Sequence, residues 1–337
     1  MCLPIRRAMR FKSAVWSKVA TCFGLLCWAG AGFAEQITLP NGDVYEGELK
    51  DGQRHGTGIY RWQDGNSYAG AFVDNRMQGN GTFSWADGRT YVGEFVSDRR
   101  EGRGTLTWQN GDRYQGQFQD NTMHGQGEFF WANDDHFIGR FEAGKRTGEG
   151  TFTWADGDSY TGDFVDGVPH GSGTYRWQDG RSYQGHFQQG LKHGTGSLTW
   201  PNGNRYEGEF ENDDRSGRGV FFWRDGTIYR GQFNAGRMLN WGVKTSAEGI
   251  YEVQRWEEGS LTESRPLIEI EHCRLSVQER TFMFDAASCI NGLAHGEGLA
   301  VSLDGDLLIE NGRFVLGRHV AGDIVELAQP GATARAE

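Results

Sequence analysis

A unit of 23 residues repeats along most of this 337-residue chain, and this periodicity constrains the fold more than any other feature. A Tyr-x-Gly motif recurs every 23 residues without insertion, and Phe137-x-Gly139 fills its one gap. The repeat positions include Tyr45, Gly47, Tyr68, Gly70, Trp62, Trp85, Trp108, Trp131, Trp154, Trp177, Trp200 and Trp223. Such a regular repeat is typical of an array in which each unit packs mainly on its neighbours.

Within one unit, the large and small residues alternate. Tyr68, Gly70 and Phe72 are two residues apart, so they share one face of a strand, and the segment from Gly81 to Trp85 alternates in the same way. Each unit therefore predicts two short strands with one aromatic face and one water-exposed face. Asn-Gly and Asp-Gly steps supply tight turns with positive φ. We expect the glycines among the aromatics to leave room for a ring across the backbone.

Composition excludes several classes of protein. Aromatic residues make up 13% of the chain, which argues against disorder, and the scarcity of proline argues against collagen. We find no catalytic motif, phosphate-binding loop or zinc-ligand spacing, so we predict no enzyme, no cofactor and no metal site. The unit at Phe137 lacks the usual tyrosine and the usual turn glycine, and it is the best candidate for a local departure such as a kink.

The unit Y-x-G-x-F, followed by G-x-G and W-x-x-G, resembles the MORN repeat (membrane occupation and recognition nexus). The resemblance covers about residues 40–242, with eight full units and a partial ninth. It implies an extended sheet of stacked hairpins that serves as a scaffold, a dimerisation module or a membrane-association module. We therefore expect an all-β fold, an elongated single-layer twisted antiparallel sheet of 23-residue hairpins over residues 35–245 with a small β-rich C-terminal cap.

Residues 1–34 carry five basic residues, no acidic residue and an apolar run at 19–33. This pattern predicts a secretory signal peptide cleaved after Ala34, with an uncleaved inner-membrane anchor at 19–33 as the alternative. The predicted location is the periplasm or the cell surface. Removal of the segment leaves 29 basic against 45 acidic residues, a net charge of −16, which disfavours nucleic acid as a partner.

The 23-residue register dissolves after Trp241. Residues 246–325 are richer in Leu, Ile and Val, and residues 295–298 and 304–305 echo a degenerate repeat. We predict a β-rich cap here, with a small separate interaction domain as the alternative, and a disordered tail at 326–337. Cys273 and Cys289 are an even pair in an exported chain, which favours a disulfide over two free thiols.

Basic residues recur in the turn before the Gly-x-Gly pairs. They are Arg54, Arg76, Arg99, Arg100, Lys145, Arg146, Lys192, Arg215 and Arg237. In register they would line one long edge of the sheet at intervals of about 10 Å. Two interpretations stay open: ordinary solvated turn residues, or an edge that engages anionic phospholipid or an acidic partner.

These features together favour a non-catalytic scaffold of the cell envelope. We expect it to bind protein partners that the sequence does not identify, and we consider self-association as a homodimer. Peripheral binding to anionic phospholipid through the basic edge is the alternative. Binding or processing of an envelope glycan is a more distant one, because sugars stack on exposed aromatic rings.

Overall fold

A computed structural model describes residues 35–267, 274–303 and 305–327, in which all regular structure is β-strand. The predicted signal peptide, Cys273 and the last ten residues lie outside the described residues. Within the described ranges, no helix has the length and hydropathy needed to cross a bilayer.

Twenty-one strands form one sheet, and each strand pairs antiparallel with the next along the chain. The first part comprises β1 (Glu35–Thr38), β2 (Val44–Lys50), β3 (Gln53–Arg61), β4 (Ser67–Val73), β5 (Arg76–Ser84), β6 (Thr90–Val96), β7 (Arg99–Thr107), β8 (Arg113–Gln119), β9 (Thr122–Phe130), β10 (His136–Glu142) and β11 (Lys145–Thr153). The second part comprises β12 (Ser159–Val165), β13 (Val168–Arg176), β14 (Ser182–Gln188), β15 (Leu191–Thr199), β16 (Arg205–Glu211), β17 (Asp214–Phe222), β18 (Ile228–Asn234), β19 (Arg237–Thr245), β20 (Tyr251–Glu257) and β21 (Ser260–Leu267). The predicted antiparallel sheet of successive hairpins is thereby confirmed.

The aromatic rings lie against glycine backbone, as the sequence predicts. Tyr45 is almost fully buried, and a Cβ on Gly58 would lie only 2.5–2.8 Å from the hydroxyl oxygen and two ring atoms of its side chain. Tyr68 contacts Phe72 and Phe95 edge to face, with centroids 5.1 and 5.0 Å apart, and the same geometry recurs in the following units. One continuous aromatic core therefore runs along one face of the sheet, which we call the aromatic face.

The turn after each tryptophan is closed by the backbone. Gly65 has φ +90°, and its N–H donates to the carbonyl of Trp62. In the unit that lacks this glycine, Asp134 takes φ +70° and makes the same bond to Trp131. The expectation of a kink in this unit was wrong, because aspartate tolerates the left-handed conformation and β10 keeps its pairing with β9 and β11.

A second, five-stranded antiparallel sheet follows. It comprises β22 (Leu275–Val277), β23 (Arg280–Ile290), β24 (Leu293–Ser302), β25 (Leu307–Val315) and β26 (Arg318–Glu326). Gly298 pairs with Gly312 across β24 and β25, just as glycines pair in the array, and the Phe314 ring packs beside Gly312. The degenerate repeat is therefore present in the structure, although aliphatic side chains replace most of the rings.

The second sheet packs on the face opposite the aromatic face, at the end of the array. Its Val301 and Leu308 meet Val243 and Val253 of β19 and β20 in one buried cluster. The first sheet itself runs through β20 and β21, beyond residue 245 where the sequence places the start of the cap. Backbone pairing continues here without the repeat's side chains, which is why the sequence pattern ends earlier than the sheet.

Candidate binding surfaces

The predicted basic edge divides into two rows. An inner row is half-buried and consists of Arg54, Arg100, Arg146, Lys192 and Arg215. An outer row is exposed and consists of Arg76, Arg99, Lys145 and Arg237. The two rows occupy adjacent positions at the start of the nine-residue strands, so their side chains point to opposite faces of the sheet.

The inner row links each turn to the next. Arg54 Nη2 donates to the carbonyl of Asn75 at 2.7 Å, and Arg146 Nη2 donates to the carbonyl of Gly167 at 2.6 Å. Arg146 also covers the ring of Phe152, with its guanidinium carbon 5.0 Å from the centroid. These arginines are thus committed to backbone and ring contacts within the array.

Burial lowers the pKa of Arg100, Arg146 and Arg215, which stay charged because an arginine pKa begins so high. In four other units the same position holds Met77, Met123, Pro169 or Met238. Methionine, like arginine and lysine, has a long aliphatic stem, whereas the proline is short. Covering the aromatic core is therefore the shared role of this position.

The outer row offers fewer free charges than the sequence suggested. Arg99 Nη1 lies 3.0 Å from Asp120 Oδ1, and Lys145 Nζ lies 2.7 Å from Asp166 Oδ1. Both pairs are exposed, so each contributes little to stability but reduces the local positive charge. Arg76 and Arg237 are exposed as well. The accessible basic edge is therefore short and interrupted.

The tryptophans are half-buried, whereas the repeat tyrosines are fully buried. Trp131 lies 4.3 Å from Phe129 and 5.2 Å from Phe152, measured between ring centroids. Arg146 of the inner row lies over the same indole. The structure thus places these rings mainly in the core, as the sequence predicts for most of them.

The face opposite the aromatic face, here called the polar face, is water-exposed as predicted along the array up to the strands that the second sheet covers. Gln115, Thr161 and Gln184 occupy one repeat position there, and all are exposed. Several carboxylates on this face have a structural role. Glu94 Oε1, for example, accepts the backbone N–H of Arg103 at 2.9 Å. Glu48 and Glu209 likewise accept the backbone N–H of Thr57 and of Arg218, which the strand bulge leaves without a partner in the neighbouring strand.

A groove of about 540 Å³ lies on the polar face over β7 to β10. Part of its floor is bare glycine backbone at residues 104, 116 and 127. Its side chains include Arg103, Gln115, Gln117, Gln126, Glu128 and Ile138. Among these, Ile138 is 46% exposed, and Val92 at the same repeat position two units earlier is 54% exposed.

An aromatic stack adjoins this groove. Phe130 has the guanidinium of Arg113 over its ring at 4.2 Å and stacks with His136 at 4.2 Å and an interplanar angle of 10°. Glu128 Oε2 lies 3.8 Å from His136 Nε2. The unit that departs from the repeat in sequence therefore differs in its surface and not in its backbone.

Our sequence reasoning did not identify Phe130, His136 or Ile138 as site residues. Part of the signal was available, since the Phe130 position holds Thr107 and Thr153 in the two adjacent units. Phe222, with Arg205 over its ring at 4.0 Å, repeats the arrangement of Phe130 and Arg113 elsewhere in the array. Departures from the repeat at positions that face away from the aromatic core were the informative ones.

Among the residues described, no group of three His, Cys, Asp or Glu side chains could hold a metal ion. Cys289 is disulfide-bonded. Its predicted partner Cys273 lies outside the described residues, so the pairing stays a prediction.

Comparison with known proteins identifies the repeat. The family model for the MORN repeat matches eight times, at residues 45–67, 68–88, 91–113, 114–136, 137–159, 160–180, 183–205 and 206–228. A search of curated proteins finds no match.

Three solved structures illustrate the structural likeness. The TCP10 domain of Danio rerio CPAP in complex with a STIL peptide has 10% identity and a TM-score of 0.39, covering 68% of this chain and 98% of that one. The Drosophila melanogaster SAS-4 TCP domain with a proline-rich motif of Ana2 has 14% identity and a TM-score of 0.22, covering 75% and 99%. BamB from Moraxella catarrhalis has 10% identity and a TM-score of 0.16, covering 81% and 95%. All three TM-scores lie below 0.5, and nothing about the function of this chain follows from them. The eight repeat matches span more than half of the sequence, and the chain belongs to the MORN-repeat family.

Proposed function

We propose that this protein is a non-catalytic scaffold of the cell envelope that binds protein partners through its polar face. The observation that carries the proposal is the groove over β7 to β10, in the part of the array where the surface departs from the repeat. The aromatic face has a structural role instead, because its rings and the inner row are already engaged in contacts within the array.

The groove has the chemistry of a polypeptide-binding surface. Gln126 presents a side-chain amide that can both donate to and accept from a peptide backbone. The amide oxygen of Gln117 already accepts the backbone N–H of Gln126, and that of Gln115 accepts from Arg113, so these two offer chiefly their amide N–H groups. Arg103 and Glu128 bring opposite charges, and the glycine floor lets another chain approach closely. Ile138 supplies one apolar anchor amid polar surroundings, an arrangement common in specific interfaces.

The envelope location rests on the predicted signal peptide in residues 1–34. Self-association is part of the proposal, because an array of this kind leaves the outer edge of β1 and of β21 without a strand partner among the described strands. Light scattering on the purified chain would distinguish a monomer from a dimer.

The test is quantitative capture of partners by the native protein and by Ile138→Asp. We expect the variant to lose at least about tenfold in affinity for a partner, because a buried charge opposes docking at an apolar anchor. Gln184→Asp is the matched control, since it makes the same residue at the same repeat position two units away. Equal binding by both variants and the native protein would contradict the use of this groove.

A peripheral lipid-binding role through the outer row is the alternative. The exposure of Arg76 and Arg237 favours it, and the ion pairs of Arg99 and Lys145 oppose it. Vesicle flotation with Arg76→Glu and Arg237→Glu tests this edge directly. Unchanged, salt-sensitive flotation of that double variant would exclude the outer row as the lipid contact.

A further inference from the structure

Exposed aliphatic side chains gather at one end of the second sheet. Ile290 ends β23, Val315 and Leu316 lie at the β25–β26 turn, and Val320 follows in β26. Leu316 and Val320 are 47% and 55% exposed. We call this surface the hairpin end.

Hydrogen bonds hold the hairpin end together. Gly317 N donates to the carbonyl of Ala294 at 2.8 Å, which joins the β25–β26 turn to β24. Arg274 N donates to the carbonyl of Gly292 at 2.9 Å, and Ala294 N donates back to the carbonyl of Arg274 at 3.0 Å. Three segments of the chain therefore meet here as one fixed surface.

The charge of the hairpin end differs from that of the whole chain. Residues 274–276, 289–296 and 311–321 contain Arg274, Arg313 and Arg318, two histidines and no acidic residue. All three arginines are exposed. The full chain carries a net charge of −11, so this local positive surface runs against the overall balance. Two acidic residues adjoin these segments: Glu297, which pairs in register with Arg313, and Glu310, which immediately precedes residue 311.

The hairpin end points away from the contact with the array. The opposite end of the same strands makes that contact, where Arg230 Nε lies 3.4 Å from Asp306 Oδ1 and Tyr251 donates to the carbonyl of Leu303. Arg218 also pairs with Glu326 at that end. Docking on the hairpin end would therefore leave the array and its polar face free.

We propose that the hairpin end is a membrane-contact site for bilayers with anionic headgroups. Aliphatic side chains on turn tips can enter the boundary between headgroups and acyl chains, while flanking arginines bind lipid phosphates. The arginines and the aliphatic residues are mixed on one surface, which combines the charge and the apolar area that such a contact uses. This site is separate from the polar groove and from the outer row, and it would hold a scaffold against a membrane while its polar face binds partners.

The test is flotation of the full chain with vesicles of phosphatidylcholine in which one quarter of the lipid is phosphatidylglycerol. We expect flotation that weakens with salt and is absent with phosphatidylcholine alone. Arg274→Glu with Arg318→Glu should reduce binding at least about tenfold, because each basic residue at an anionic surface strengthens partitioning several-fold. Leu316→Asp with Val320→Asp should reduce it further.

Arg76→Glu with Arg99→Glu is the matched control, because it reverses two exposed charges on the outer row. This control should float like the native protein. Circular dichroism melts check that each variant folds. If the double variant with Leu316→Asp and Val320→Asp fails to fold, the double variant with Arg274→Glu and Arg318→Glu still decides the test, because both arginines are exposed. Unchanged flotation of the arginine pair, equal loss in the control, or a changed oligomeric state with unchanged flotation would overturn the proposal. The last result would assign the surface to a second copy of the chain.

Discussion

The array and the second sheet build their cores in different ways from related sequence. In the array, the ring of Tyr160 lies over the backbone of Gly162 and Gly173 in its own hairpin. It also contacts the ring of Phe164 on its own strand and that of Phe187 in the next unit. In the second sheet, side chains such as Val301 and Leu308 bury themselves against the other sheet. The array therefore needs only one layer, whereas the second sheet needs a partner.

This difference explains why the array can be extended by adding units, whereas the second sheet terminates the array. Each array unit brings its own ring and its own glycine gap, so another unit can be added without changing the core. The second sheet keeps the Gly298–Gly312 pair, but its aliphatic side chains are satisfied by the last array strands. Four predictions, from the largest expected effect to the smallest, would break or sharpen this comparison.

Alkaline conditions should unfold the array. Burial raises the pKa of Tyr68 and of Tyr91 from 10.0 to about 12. A pKa raised in the folded state means that the stabilisation is complete below pH 10 and is lost as the pH rises through about 12. Phenolate absorbance and circular dichroism should therefore change together. Ionisation of these tyrosines near pH 10 in a folded array would contradict the account.

Removal of one repeat ring should destabilise the array strongly. We expect Tyr160→Ala to lower the free energy of unfolding by about 4 kcal/mol, because it empties a fully buried site. Tyr160→Phe should cost only about 1 kcal/mol, the bond from the hydroxyl to the carbonyl of Asp163. Phe137 already occupies this position in one unit. Urea unfolding measures both, and similar losses for the two variants would argue against ring packing as the main term.

Filling the gap beneath a ring should be nearly as costly. A Cβ on Gly150 would lie 2.6 Å from two atoms of Phe137, so Gly150→Ala should cost about 3 kcal/mol in free energy of unfolding. Gly52→Ala is the control, because no atom lies within 4 Å of its Cβ and only its φ of +77° opposes alanine. That change should cost about 1 kcal/mol. A reversed order would show that turn strain outweighs ring clearance.

The two basic rows should respond differently to the same substitution. Arg146→Met should lower the free energy of unfolding by about 1 kcal/mol, through loss of the bond to Gly167 and of the contact with Phe152. Lys145→Met should change it by less than about 0.5 kcal/mol, because the pair with Asp166 is exposed. Thermal melts at low and moderate salt measure both changes. Equal effects would mean that the inner row has no special structural role.

The sequence predicted the array well because its contacts are local and repeat. The alternation of Tyr68, Gly70 and Phe72 predicts which face of the strand they share, and its recurrence in every unit strengthens that prediction. The two rows of bases were not separable in advance, since Arg99 and Arg100 are adjacent and only the strand register decides which is half-buried.

The surface sites were harder to predict for a physical reason. The groove residues Arg103, Gln115 and Ile138 come from three strands, and their proximity follows from the pairing of β7, β8, β9 and β10. The hairpin end depends likewise on bonds between segments that are distant in sequence, such as Gly317 to Ala294. In a region without a repeat, the sequence pattern gives little information on which strands pair.

Site-specific photo-cross-linking in the native envelope tests the central claim most directly. The probe would replace Ile138 in the groove, Gln184 at the same repeat position of the polar face, and Arg76 in the outer row, one at a time. The account predicts a specific protein adduct at residue 138, and little or none at residues 184 and 76. An adduct at residue 76 with none at residue 138 would contradict it.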